Sequence, residues 1–280
     1  MKNNFRILKV LNNNIVLAYD LENKYETILI GKGIGFSKKE SKKTYIPLDK
    51  IQKSFVAEDE KTKTEYFNIA KNIDERIIDI TENIIIEAEK KLGKLNTHIH
   101  VILTDHIAFA IERVKMGLNI NNPFINEIEI LYKDEFIIAK AGVDIIKSEL
   151  DIDLGFGEIG FIAMHLHSSR NNVNVKETMK NTRILNEIIE IIEKNLDIEF
   201  NKSEYTYKRL VNHIQGALER IRLKKNVNNP ILENIKEDFS ESFKIIRKIQ
   251  KKIEDEYELE VNEQELGYMA IHVERLKINN

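Results

Sequence analysis

Residues 158–165, Glu158-Ile159-Gly160-Phe161-Ile162-Ala163-Met164-His165, return 107 positions later as Glu265-Leu266-Gly267-Tyr268-Met269-Ala270-Ile271-His272. The same shift lays Leu103-Thr104-Asp105-His106-Ile107 over Leu210-Val211-Asn212-His213-Ile214. It also lays Glu112-Arg113 over Glu219-Arg220, and Asn121-Asn122-Pro123 over Asn228-Asn229-Pro230. In each copy the two histidines are 59 positions apart. The period is too long for a solenoid unit and indicates two copies of one domain, covering residues 66–172 and 173–280.

The apolar spacing inside each copy is helical. Ile69, Ile73, Ile77, Ile80 and Ile84 form one stripe; Ile99, Ile102, Leu103, Ile107, Ala110, Ile111 and Val114 form another. Further helices are expected over roughly 126–148, 158–169, 177–195, 205–224, 231–256 and 263–277. Residues 1–56 read differently. Arg6–Leu11, Ile15–Tyr19 and Tyr25–Ile30 are short strands separated by Asn12-Asn13-Asn14 and Asp20–Lys24 as turns. Gly31, Gly33 and Gly35 then alternate up to Phe36. This pattern is read as a glycine-kinked strand whose bare face admits a foreign backbone or a base, with Phe36 as a stacking surface. Residues 57–65 are a charged connector. The expected fold is therefore a small antiparallel all-β domain followed by two all-α helical-bundle domains. A sheet of some 55 residues has little core of its own, so the head is expected to work as a homodimer.

Composition removes several alternatives. With no Cys in 280 residues there is no disulfide framework, thiolate metal site or thiol nucleophile. No apolar run reaches the ~18 residues of a membrane span, and Met1-Lys2-Asn3-Asn4 does not open a secretory signal, so a cytoplasmic protein is expected. The net charge of −3 conceals an asymmetry, because residues 1–56 carry +6 and the remainder −9. A basic head on an acidic body suggests a polyanion partner for the head, with a merely solvated Lys-rich loop at 37–44 as the bland reading. The glycine string is neither a dinucleotide fingerprint nor a phosphate-binding loop, since its spacing and the following pattern are wrong for both.

His106, His165, His213 and His272 recur in both copies beside the apolar stripes. Half-buried histidines that simply pack and hydrogen-bond would look the same. Three chemistries compete with that reading. His98 with His100, and His165 with His167, have His-x-His spacing, but residues i and i+2 face apart on a helix and neither pair is repeated, so no metal site is expected. Acid–base catalysis would need His106 to be oriented by Asp105 or Glu112, and Asp105 becomes Asn212 in the second copy. Phosphoryl acceptance by a neutral imidazole is also open, and would place a bulky anion at a helical surface.

Taken as a set, these residues resemble the bacterial sugar-operon antiterminators. The head Lys9-Val10-Leu11-Asn12-Asn13-Asn14, with Ile30-Gly31-Lys32-Gly33-Ile34-Gly35-Phe36 and a Lys-rich loop, resembles their co-antiterminator (CAT) RNA-binding domain. The modules resemble the phosphotransferase-system (PTS) regulation domains, or PRDs, carried most clearly by residues 95–113 and 157–168. The strings look most like the glucose-permease antiterminator of Gram-positive bacteria. The resemblance implies a non-enzymatic regulator without a cofactor, whose dimeric head binds a leader mRNA hairpin and prevents an overlapping terminator from forming. It implies RNA contacts at Lys9, Asn14, Gly31, Lys32 and Phe36, with Lys32 standing where many relatives have the bidentate Arg. It implies phosphorylation of His106, His165, His213 and His272, with the sugar permease (enzyme II) and HPr as phosphoryl donors. The rival is an all-α metal-dependent phosphohydrolase using His98, His100, His165 and His167. A DNA-binding regulator is disfavoured because the head has no helix-turn-helix pattern.

Overall fold

The structure is a computed structural model that describes residues 5–36, 45–56, 59–225 and 227–279. The Lys-rich loop at 37–44 lies outside the described residues. The chain forms two compact units, residues 1–123 with 132–175, and residues 124–131 with 176–280.

The first unit opens with strands β1 (Phe5–Val10), β2 (Ile15–Asp20), β3 (Glu26–Ile30), β4 (Tyr45–Ile46) and β5 (Lys53–Phe55). They make one antiparallel sheet in the order β4-β1-β2-β3-β5. Asp20 closes the β2–β3 turn by accepting from the backbone of Glu22 and Asn23. The expected glycine strand is instead a turn, in which Ile34 N–H bonds Gly31 C=O and Phe36 N–H bonds Gly33 C=O. Gly33 has φ +69°, off the strand region. A Cβ on Gly31 would come within 2.0 Å of Lys50 O, and one on Gly35 within 2.1 Å of Asn12 O. The close backbone approach expected of these glycines is present, but the approaching backbone belongs to the head itself.

Strand alternation buries both faces of the sheet. Val16, Ala18 and Leu29 pack with Ile34 and Ile46 on one side. Ile15, Leu17, Ile28, Ile30 and Phe55 face the other way, onto Tyr66, Ile69, Ala70, Ile78 and Val101. Those residues belong to α1 (Glu60–Asn72), α2 (Glu75–Leu92) and α3 (Ile99–Lys115). The missing core of the head is thus supplied by helices of its own chain.

The stripe through Ile69 and Ile84 is broken into α1 and α2. Asp74 caps α2 by accepting from Arg76 N–H at 2.9 Å, and Ile73 is extended. Part of the expected connector is helical, starting at Glu60 behind the Asp59 cap. The remaining helices of this unit are α5 (Lys133–Leu150) and α6 (Phe156–Arg170), with α4 (Ile125–Leu131) joining the second unit.

The second unit also holds α7 (Val175–Leu196), α8 (Tyr205–Arg222), α9 (Leu232–Asp238), α10 (Ser240–Tyr257) and α11 (Glu263–Asn279) around an Ile- and Leu-rich core. The stretches expected as single helices, 126–148 and 231–256, each contain a one-residue break. Tyr132 (φ −120°, ψ 47°) and Phe239 (φ −117°, ψ 39°) occupy the same place in the two copies. A single non-helical residue changes the helix direction while leaving the apolar period nearly intact, so periodicity alone does not reveal it.

Candidate functional site

In each module the repeated histidines come from the middle of two facing helices. His106 on α3 and His165 on α6 have ring centroids 4.7 Å apart. His213 on α8 and His272 on α11 stack at 3.8 Å with planes 19° apart. The 59-residue spacing has become a ring–ring contact in both copies.

A carboxylate and a guanidinium complete each pair. Glu158, almost wholly buried, accepts from His106 Nε2 at 3.0 Å and from Arg113. Because a carboxylate only accepts, Nε2 of His106 carries a proton. In the second copy Glu265 takes Arg220 in a two-pronged bond, Nε at 2.5 Å and Nη2 at 2.8 Å. There the histidines face Arg209, Arg220 and Arg275. Asp105 is exposed, and Glu158 rather than Asp105 or Glu112 bonds His106. The signal for this partner was present in the repeat, since Glu158 and Arg113 recur as Glu265 and Arg220. Asn212, the counterpart of Asp105, is exposed and donates to Lys208 C=O.

The environments tune the rings. Burial, and then the nearby charge of His106, pushes His165 down to about 3. Burial, then His213 and the three arginines, pushes His272 down to about 4. His213 is also lowered, by burial and then by Arg209, Arg275 and Arg220. These imidazoles are neutral at physiological pH, the state in which a ring nitrogen is nucleophilic. Nδ1 of His165 is buried without a hydrogen-bond partner.

The other histidines diverge. His98 bonds Glu65 at 3.0 Å, and His167 bonds Glu135 at 3.4 Å while its ring stacks on Tyr132. His100 is buried with both oxygens of Glu82 on its Nδ1, at 2.9 and 2.8 Å, and Tyr66 donates to the same carboxylate. The ring of Phe55 lies 3.8 Å from that of His100, with planes 5° apart. Among the described residues no three or more His, Asp or Glu gather as a metal site.

In the head, the Asn12-Asn13-Asn14 turn meets the Gly31–Phe36 turn. Gly33 N–H donates to Asn14 Oδ1 at 2.6 Å, and Gly35 N–H donates to Asn13 C=O at 2.8 Å. Lys32 and Phe36 are exposed, Phe36 by 67%. Gly31 is buried, with its N–H donating to Asn14 C=O. The Lys9 ammonium lies 5.0 Å from the ring centroid of Phe67 on α1.

Comparison with known proteins identifies both parts. A CAT RNA binding domain matches residues 5–64, and a PRD domain matches residues 82–169 and again 186–276. The chain belongs to the CAT–PRD antiterminator family. Transcription antiterminator LicT of Bacillus subtilis (strain 168) is 33% identical over 275 residues, 97% of this chain and 98% of its own. The beta-glucoside operon antiterminator of Dickeya chrysanthemi is 31% identical over 276 residues, 97% and 96% of the two chains. Protein GlcT of Staphylococcus aureus (strain JH9) is 30% identical over 270 residues, 95% of each chain. A crystal structure of GlcT CAT-PRDI matches with a TM-score of 0.54 and 40% identity, covering 59% of this chain and 97% of that one. As a member of the CAT–PRD family the chain is a regulator and not an enzyme, which displaces the phosphohydrolase reading. Among the described residues no helix is long and apolar enough to cross a membrane.

Proposed function

We propose that this protein is a cytoplasmic transcriptional antiterminator of a sugar PTS transport gene, glucose being the sugar its sequence strings suggest. Residues 1–56 are the RNA-binding head, 66–172 the first regulation domain and 173–280 the second. As a homodimer the head grips a leader mRNA hairpin and keeps an overlapping terminator from forming. Lys9 and Lys32 neutralise phosphates, Asn14 reads a base edge and Phe36 stacks; Gly31 acts by letting the turn close against Lys50.

The regulatory half rests on one observation, the histidine pair with its Glu–Arg partner, built twice from equivalent residues. The lone pair of a neutral imidazole attacks the phosphorus of a donor phosphohistidine. The new N–P bond forms as the donor's N–P bond breaks, and the donor nitrogen leaves with that electron pair. His106 and His165 take phosphate from the sugar permease, and His213 and His272 from HPr. A phosphoryl group on His106 adds up to two negative charges beside Glu158. It repels that carboxylate and recruits Arg113, which repacks the facing helices.

The test is phosphorylation of the purified chain by a reconstituted phosphocarrier relay, with single His→Ala variants. The reading requires phosphate on both modules and its loss at the substituted site. A wild-type chain that takes up no phosphate would remove this part of the reading.

A further inference from the structure

The RNA-reading turn of the head is already occupied by carboxylates of its own chain. Asn14 Nδ2 donates to Asp79 Oδ2 at 2.6 Å, while its Oδ1 accepts from Gly33 N–H at 2.6 Å. Asn13 Nδ2 donates to Glu75 Oε2 at 3.0 Å. Glu75 and Asp79 are four residues apart on α2, so they share one face of its first turns. On the flank of this contact the Lys9 ammonium sits over Phe67. Lys9, Asn13 and Asn14 are therefore engaged by α1 and α2 together.

Asp79 is half-buried, and its carboxyl is pushed up to about 6, chiefly by burial and then by Glu75, Glu82 and Glu149, against the opposing bond from Asn14. A carboxylate kept among like charges is stabilised by the Asn14 amide it holds. An RNA strand approaching this turn meets two carboxylates where it needs hydrogen-bond donors, and phosphates near them are repelled.

We propose that Glu75 and Asp79 form an acidic docking face on the first regulation domain that occupies Asn13 and Asn14 in place of RNA, so that RNA binding and this docking exclude each other. The inference rests on the reading of the head as an RNA-binding domain. Any event that lifts α2 from the head then frees Asn14 to read bases, which links the regulation domain to the RNA face through named atoms.

The experiment measures binding of the full chain to a synthetic hairpin RNA copied from the leader of the sugar-transport gene that the proposed function makes its target, at fixed salt. Three proteins are compared: wild type, the double variant Glu75→Ala with Asp79→Ala, and a charge control, Asp134→Ala with Asp144→Ala. The control removes two exposed carboxylates from α5. The double variant should bind about tenfold more tightly than both others, the size expected for a charge-assisted hydrogen bond that no longer competes. Its Gly33 and Gly35 amides should also exchange faster with solvent.

Equal binding by all three, or weaker binding by the double variant at unchanged amide exchange, would overturn the inference and make Asp79 a residue that positions Asn14 for RNA. Equal tightening by the control would assign the effect to net charge alone, which also overturns it. If none of the three bound the hairpin, the RNA-binding reading itself would fall.

Discussion

Glu158 and His106 are joined by a 3.0 Å hydrogen bond across 52 residues of sequence, with Arg113 on the other oxygen of the carboxylate. Its counterpart Glu265 keeps the arginine but does not bond His213 in the same way. The two modules therefore share a constellation while differing in how tightly the carboxylate restrains the first histidine. The first module is the one in which a carboxylate already holds the histidine that the proposed phosphorylation would modify.

That difference sets the cost of removing the arginines. Arg113→Ala leaves the buried Glu158 facing only His106 and should destabilise the chain by about 3 kcal/mol. Glu265 is as buried as Glu158 and lacks the histidine bond, so Arg220→Ala leaves it without a partner among the described residues and should cost at least as much, about 3 kcal/mol or more. Urea unfolding of the two variants checks this; a loss well below about 1 kcal/mol from Arg220→Ala would contradict it.

Acid should titrate the paired histidines late. His165 and His272 should remain neutral at pH 5.5, titrating near 3 and near 4 respectively. An unfolded histidine gains its proton near pH 6.5, so below that value the unfolded chain binds more protons than the folded one. The stability these neutral rings allow is present above about pH 6.5 and is lost as pH falls toward the folded values. Long-range nitrogen–proton NMR across pH 4–8 reads the ring states directly. A ring of His165 protonated at pH 6 would contradict the burial on which its nucleophilic reading depends.

Phe55 links the sheet to the helices by stacking on His100 and lying edge-on to Tyr66, with centroids 5.3 Å apart. Phe55→Ala should cost about 3 kcal/mol and raise amide exchange in β3 and β5 before it does so in α5 and α6. Uniform exchange throughout the unit would show that the head is not held through this ring.

Gly35→Ala places a Cβ 2.1 Å from Asn12 O, and Gly31→Ala one 2.0 Å from Lys50 O. Neither obstacle is a flexible side-chain end. Each substitution should open the paired turns and lower RNA affinity at least tenfold, while leaving the helical circular dichroism signal largely intact. Wild-type affinity in both variants would mean that the turns do not shape the RNA face.

The sequence was most legible where chemistry repeats. Period-2 and helical stripes located the sheet and most helices, and the 107-residue shift brought out His106, His165, His213 and His272 together with Glu158 and Arg113. Two kinds of feature were hidden. The two-residue break at Ile73 and Asp74 and the one-residue breaks at Tyr132 and Phe239 leave the apolar period nearly intact, so they read as continuous helix. The contacts of Asn13 with Glu75 and Asn14 with Asp79 join residues 62 and 65 positions apart, with no repeat or motif to announce them. Gly31 and Gly35 are sites of close approach, but to the head's own backbone rather than to a foreign one, and they lie in turns and not in a strand, because alternation by two is the same in a strand and in these successive turns.

The most direct measurement is transcription in vitro from a template carrying the leader hairpin and overlapping terminator of the sugar-transport gene that the proposed function makes its target. Unphosphorylated protein should increase full-length transcript, and the increase should vanish when the hairpin is mutated or when the protein is first phosphorylated on its first module. Readthrough that is unaffected by the protein, or equally enhanced on a template without the hairpin, would contradict the account.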